Sequence, residues 1–256
     1  MLFTKHHSPV FKTIRLCQMS QHSKVKILFL QPYIVFMLYN TLKKNACFLI
    51  PYLIVLITLV PVLIMFSKPA IHLWINRYNS GFSDWFFRYI TFLGDGLFII
   101  IPAIIFLFFS LRHFVYLLTA YFSTGVFTQI LKRIFFEDMI RPFGYFKDIA
   151  SLHLVDGVKM FSGRSFPSGH SASAFALFLC LALLSSNRYI KLACFILACL
   201  VAFSRVYLSQ HFLIDIYFGS IIGCTGAIAF FEVFYRNNRK WHSWTIQNIF
   251  QHDHKA

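Results

Sequence analysis

Residues 204–215 read Ser-Arg-Val-Tyr-Leu-Ser-Gln-His-Phe-Leu-Ile-Asp and put Arg205, His211 and Asp215 at the foot of a long apolar stretch. Ionisable side chains are costly in such a setting and call for a chemical reason. Asp215 follows His211 by four residues, so on a helix the two share a face and the carboxylate can accept the proton of one imidazole nitrogen. The other nitrogen is then free to attack an electrophile. Arg205 lies about two helical turns earlier and adds a permanent positive charge. An imidazole nucleophile, a carboxylate that fixes its tautomer and a guanidinium that holds oxyanions suit phosphoryl transfer through a phosphohistidine.

The elements that must position these residues are membrane helices. Of 256 residues, 58% are hydrophobic and only 13% charged, and the mean hydropathy is +0.65. That is far too apolar for a soluble globule and implies an all-α, polytopic membrane bundle. The 24 Lys+Arg against 9 Asp+Glu give a net charge of +15. Such an excess fits nucleic acid, an anionic membrane surface or an anionic substrate, and the apolar runs argue against nucleic acid. Cys17, Cys47, Cys180, Cys194, Cys199 and Cys224 lie mostly in apolar runs without a Cys-x-x-Cys pair, so they read as core residues and not as a disulfide frame or a zinc site.

Residues 1–45 carry seven basic residues and no acidic one, which reads as a cytoplasmic tail. Its apolar run Ile27 to Tyr39 is too short to span and lacks a small-residue cleavage site. It reads as an interfacial helix, or as part of an over-long N-terminus with Met19 or Met37 as the start. Six spans are expected over 46–235: Ala46–Phe66, Tyr89–Leu111, Phe114–Leu131, Pro167–Ser186, Leu192–Leu208 and Phe212–Tyr235. Between the first two, the aromatic stretch Ile71 to Arg88 reads as a helix lying in the headgroup region. A basic tail, 236–256, follows, and no internal repeat divides the bundle.

Six spans put both termini on one side of the membrane, with 14 basic residues there and ten on the other. Three of the ten, Lys132, Arg141 and Arg205, have a chemical explanation, which leaves 14 against seven. By the positive-inside rule the termini are then cytoplasmic and the polar segment 132–166 faces outward, as expected for a protein of the bacterial cytoplasmic membrane with its site on the periplasmic or extracytoplasmic side.

This topology gathers three charged segments on one face. The first, 132–142, holds Lys132, Arg133, Arg141 and Pro142. The second, Ser165-Phe-Pro-Ser-Gly-His170, puts Pro167 at the first position of a helix, where the free N–H groups of Ser168, Gly169 and His170 would meet an anion. Gly169 lets an oxyanion come close to the backbone, and His170 offers a proton to a leaving alkoxide. The third is the set 204–215.

Together, Lys132 with Arg141-Pro142, Pro167-Ser168-Gly169-His170, and Ser204-Arg205 with His211 and Asp215 resemble the three-part signature of the type 2 phosphatidic acid phosphatase superfamily, over about residues 70–235. The first part has eight residues between Lys132 and Arg141 where six are usual, which leaves Lys132 and Arg133 as alternatives for the phosphate contact. The resemblance implies a helical core like that of the haloperoxidases. It also implies a phosphate clamp of Lys132, Arg141, Arg205, Ser168 and the Gly169 backbone, with His211 as nucleophile oriented by Asp215. His170 would protonate the departing lipid oxygen and then activate water. Three cations would stand in for a metal, so neither a metal nor another cofactor is expected.

The expected activity is hydrolysis of a lipid phosphate monoester or diphosphate. Phosphatidic acid, phosphatidylglycerol phosphate, undecaprenyl diphosphate and a lipid A phosphate all present the same reacting group, and the sequence selects none of them, nor an oligomeric state. Three other readings compete. A lipid-to-lipid phosphotransferase would use the same residues. A vanadate haloperoxidase of related fold is disfavoured by the six spans. A transporter or scaffold is disfavoured because the charges cluster at one face instead of lining a route across the midplane.

Overall fold

The computed structural model describes residues 39–236, and the expectations for 1–38 and 237–256, including the tails and the choice of start, lie outside those residues. The chain divides into two units between Ala46 and Cys47; of the first, the described residues 39–44 are helical. Among the described residues the architecture is all-helical. The elements are α1 (Ala46–Met65), α2 (Lys68–Asn76), α3 (Gly81–Ile90), a 3-10 turn (Thr91–Gly94), α4 (Ile100–Phe109), α5 (Leu111–Ile130), α6 (Pro142–Phe146), α7 (Gly169–Leu184), α8 (Arg188–Tyr207) and α9 (Leu213–Arg236). Alpha-helix 5 runs on into a π-helical turn, Leu131–Phe135.

The helix starts are written in the sequence. Ser67, Ser80, Ser110, Ser168 and Asn187 each accept a backbone N–H from the first turn that follows, satisfying a donor the helix itself leaves free. Among the described residues, four helices are long and apolar enough to cross a membrane: α1, α5 with its π turn, α8 and α9. The spans expected at 89–111 and 167–186 contain shorter apolar helices instead, α4 of 10 residues and α7 of 16.

The segment 89–111 departs most from expectation. A ten-residue helix rises about 15 Å, half of a hydrocarbon core of about 30 Å. The cause lies at Gly94, where a β-carbon would sit 2.5 Å from Val201 Cγ1 and 3.2 Å from the His170 carbonyl oxygen. The 3-10 turn is pressed against α7 and α8, and the chain extends at Asp95 before α4 begins. The aromatic stretch 71–88 likewise forms two helices, α2 and α3, broken at 77–80.

Alpha-helix 7 is the hub, with Ala172, Ala174, Ala176, Leu179, Cys180 and Ala182 fully buried. It runs parallel to α9, and glycines let the two approach closely. A β-carbon at Gly219 would lie 2.6 Å from the Ser168 carbonyl oxygen, and one at Gly223 would lie 2.5 Å from that of Ala172. Small residues four apart are what a close helix pair in a membrane requires, since lipid offers no hydrophobic drive for association. Both helices begin at the end of the bundle where α5 and α8 finish, so four helix termini meet there.

Gly223→Leu should therefore overpack the α7–α9 seam and cost about 1–3 kcal/mol. Thermal unfolding in detergent would read this as a lowered Tm, while Gly81→Ala, where a β-carbon meets nothing within 4 Å, leaves Tm unchanged.

Candidate active site

Residues 204–215 do not form one helix. Alpha-helix 8 ends at Tyr207, Ser209 takes a left-handed conformation (φ 53°), and the N–H groups of Gln210 and His211 both donate to the Arg205 carbonyl, at 2.9 and 3.0 Å. His211 thus sits in a turn and Asp215 in the first turn of α9. They meet because Asp215, third residue of α9, reaches back to accept the Phe212 N–H (3.0 Å), the reciprocal half of a capping box. The same oxygen, Oδ2, lies 3.3 Å from His211 Nδ1 and accepts the Ser165 hydroxyl. A carboxylate facing Nδ1 requires the proton there and leaves Nε2 with its lone pair.

His211 is 1% exposed. Burial, with the positive charges of Lys132, Arg141 and Arg205 adding to it, holds its pKa well below the usual histidine value. The ring is neutral, and therefore nucleophilic, at pH 7.

Those three cations form the opposite wall. Lys132, in the π turn that ends α5, is buried, whereas Arg133 is exposed. Of the two alternatives left by the spacing, only Lys132 is turned into the cluster. Arg141 is held by the Gly163 carbonyl (Nε, 2.9 Å) and by the carbonyl and side-chain oxygens of Gln210 (3.3 Å each), and its own N–H donates to Ser162 (2.8 Å). Burial lowers its pKa. Arg205 donates to the Thr91 hydroxyl (2.9 Å), and its buried Nε has no partner among the described residues. With one buried carboxylate for three cations, the site carries uncompensated positive charge suited to a phosphate.

At the start of α7, Pro167 precedes the helix instead of opening it. Ser168 is the N-cap, and its N–H is already donated to the Asp215 carbonyl (3.0 Å), so it is not available to an anion as the sequence suggested. Its hydroxyl oxygen accepts the Ser171 N–H (3.3 Å). At Gly169 a β-carbon would meet only Gln129 Nε2, at 3.7 Å, so the space before the helix is open. His170 Nε2 lies 3.6 Å from Asp95 Oδ1. All eight residues singled out from the sequence, Lys132, Arg141, Ser168, Gly169, His170, Arg205, His211 and Asp215, thus belong to this one end of the bundle. Among the described residues no three His, Cys, Asp or Glu side chains are grouped to hold a metal ion.

Several residues that the sequence did not single out hold the first set in place: Asp95 on His170, Thr91 on Arg205, Ser165 on Asp215 and Gln210 on Arg141. Beneath the turn, His72 Nε2 meets the Ser209 hydroxyl (3.1 Å), and the ring packs between Phe146 and Phe212. Burial drops its pKa to about 4, so it stays neutral. Asn76 Nδ2 donates to the His153 carbonyl (2.9 Å) and to Ser209 Oγ (3.4 Å), and His153 Nε2 lies 3.0 Å from both oxygens of Asp84. Tyr207 also donates to Asp84. A chain of hydrogen bonds therefore runs from the segment 147–164 to the turn carrying His211. A Ser at 209 or an Asn at 76 is too common a residue for its type alone to give this away.

Residues 113–239 match the family model of the PAP2 superfamily. Two solved structures are similar. LpxE from Aquifex aeolicus shares 28% identity over 64% of this chain and 93% of its own, with a TM-score of 0.54. The first transmembrane PAP2 type phosphatidylglycerolphosphate phosphatase from Bacillus subtilis shares 23% identity over 77% of this chain and 98% of its own, with a TM-score of 0.55. Among curated proteins no sequence matches.

Inorganic phosphate should raise the Tm of the protein, and Lys132→Ala should weaken its apparent affinity about 10- to 100-fold, as expected for a charge-assisted hydrogen bond worth about 1.5–3 kcal/mol. Arg133→Ala should change it less than about twofold; a larger loss in Arg133→Ala than in Lys132→Ala would reverse the assignment of the two.

Proposed function

We propose that this chain, which belongs to the PAP2 superfamily through residues 113–239, is a membrane lipid phosphatase that works through a phosphohistidine. The observation that carries the reading is the buried His211–Asp215 pair, whose imidazole lies within the positive field of Lys132, Arg141 and Arg205. The match of residues 113–239 to the PAP2 superfamily model supports the reaction class.

In this mechanism the lipid phosphate lies between Lys132, Arg141 and Arg205, with the Ser168 hydroxyl and the Gly169 backbone completing the cradle. The Nε2 lone pair of His211 attacks phosphorus while the bond to the lipid oxygen breaks, and Asp215 holds the proton on Nδ1 as the ring becomes positive. His170, whose Nε2 lies 3.6 Å from Asp95 Oδ1, gives its proton to the departing alkoxide. It then takes a proton from water, whose oxygen attacks phosphorus and breaks the P–N bond, releasing phosphate and restoring His211. The cations stabilise the charge that develops on the phosphoryl oxygens, so the reaction needs no metal. The basic-residue count supports cytoplasmic termini and a site on the extracytoplasmic face of the cytoplasmic membrane, where envelope lipids are presented.

Phosphate release from phosphatidic acid, phosphatidylglycerol phosphate, undecaprenyl diphosphate and lipid A phosphate should be measured in detergent with EDTA present. Release from one of them, undiminished by EDTA and lost by at least about 10³-fold in His211→Ala, is the expected result. Full activity in that variant would sink the phosphohistidine, and phosphate passed to a second lipid instead of water would identify a phosphotransferase. The pH profile is an independent check. Attack needs unprotonated His211, whose pKa is held below the usual value of about 6.5. Activity should thus persist as pH falls from 7 to 6, with the acid limb below the ordinary histidine range; a limb at or above pH 7 would contradict it.

A further inference from the structure

Alpha-helix 1 is attached to the bundle at one part of its length. Phe48, Leu49 and Tyr52 are buried in the core, whereas most of the later side chains are exposed. Along those later turns lies an open-sided cavity of about 1240 Å3, lined mainly by α1, α2, α8 and α9. That exceeds the volume of roughly 300–1,000 Å3 typical of a small-molecule pocket. Its walls are apolar, with Leu56, Leu59 and Val62 contributed by α1 and Cys199, Ala202 and Phe203 by α8.

The cavity has a polarity along its axis. The lining runs from Tyr52 to Phe66 on α1, about 21 Å at 1.5 Å per residue. One leaflet of hydrocarbon is about 15 Å deep, so the length matches a single leaflet with its headgroup layer. At the deep end the hydroxyls of Tyr52 and Ser220 bond each other (3.2 Å). At the mouth stand Arg77, Tyr78 and Trp74, all exposed, with Tyr78 packed edge-on to Trp74 at 5.2 Å. Aromatic pairs of this kind mark headgroup level. Arg77 has no carboxylate partner among the described residues. The slot is too apolar to hold ordered water, and its charged mouth asks for an anion.

We propose that this cavity binds one anionic phospholipid, separate from the catalytic cradle, with its acyl chains between α1 and the α8–α9 face and its phosphate on Arg77. The lipid fastens α1 where side-chain packing does not. It also backs the elements under the catalytic turn, because Ile71 and Ile75, on the helix that carries His72, and Ile216, next to Asp215, are part of the wall. The assignment does not depend on the hydrolase reading.

The test uses the full-length His211→Ala protein in neutral detergent, with inorganic phosphate present throughout to occupy the catalytic cradle. Dioleoyl phosphatidylglycerol and phosphatidylcholine are titrated in separately, and Tm is recorded. Phosphatidylglycerol should raise Tm by several degrees at concentrations where phosphatidylcholine has little effect. Arg77→Glu, a surface change that leaves the fold alone, should weaken that response at least tenfold, and Leu59→Trp, which narrows the slot, should also weaken it. Equal responses to the two lipids, or an undiminished response in Arg77→Glu, would overturn the proposal. So would a response that survives Arg77→Glu and disappears in Lys132→Ala, because the phospholipid would then sit in the catalytic cradle.

Discussion

A carboxylate and an imidazole can stay buried together only while each proton between them has an acceptor and each lone pair has a use. Asp215, 3% exposed, meets that condition by drawing on three parts of the chain: the N–H at its own helix start, the imidazole in the preceding turn and the hydroxyl of Ser165. Its backbone carbonyl also accepts the Ser168 N–H. One residue therefore ties the loop before α7 to the turn before α9, and the cis-spaced motifs of the sequence become a single site through it.

The bundle supplies the charges in a consistent electrostatic sense. Alpha-helices 7 and 9 begin at the site, so their positive dipole ends point to where an anion would lie. Alpha-helices 5 and 8 end there, and the cations Lys132 and Arg205 sit at those negative ends, where positive charge is favoured. This arrangement depends on α7 and α9 running parallel at close range, which the glycines at 219 and 223 permit. The π turn at the end of α5 belongs to the same logic: irregular helix geometry gathers at functional sites, and here it accompanies a buried Lys132 beside an exposed Arg133.

Around this centre, rigidity is graded. The turn at Ser209 takes a conformation that few non-glycine residues adopt, and His72 and Asn76 hold it through its hydroxyl. The segment 147–164 is anchored to the same network by His153, so a headgroup touching that segment is in mechanical contact with the turn that carries His211. Alpha-helix 1 lies at the loose end of the scale, with few buried side chains and a large apolar void beside it.

How much was legible in advance follows the range of the interactions. Membrane helices, their capping serines and the three charged motifs depend on composition and on neighbours a few residues apart, and all of these can be read along the chain. The pairing of His211 with Asp215 was also legible, but for the wrong reason: the spacing of four suggested one helix, whereas a turn and a helix cap produce the contact. The division of residues 89–111 was hidden because it depends on Gly94 meeting Val201, more than a hundred residues away, and the use of the Ser168 N–H was hidden because its acceptor is the carbonyl of Asp215. The sequence by itself determined which residue types the chemistry could use and that they lie at membrane helix ends. Tertiary structure alone decided which of Lys132 and Arg133 faces the site, which donors were already spent, and that Thr91, Asp95, Ser165 and His72 hold the rest, because each of those outcomes is a contact between segments with no local signature.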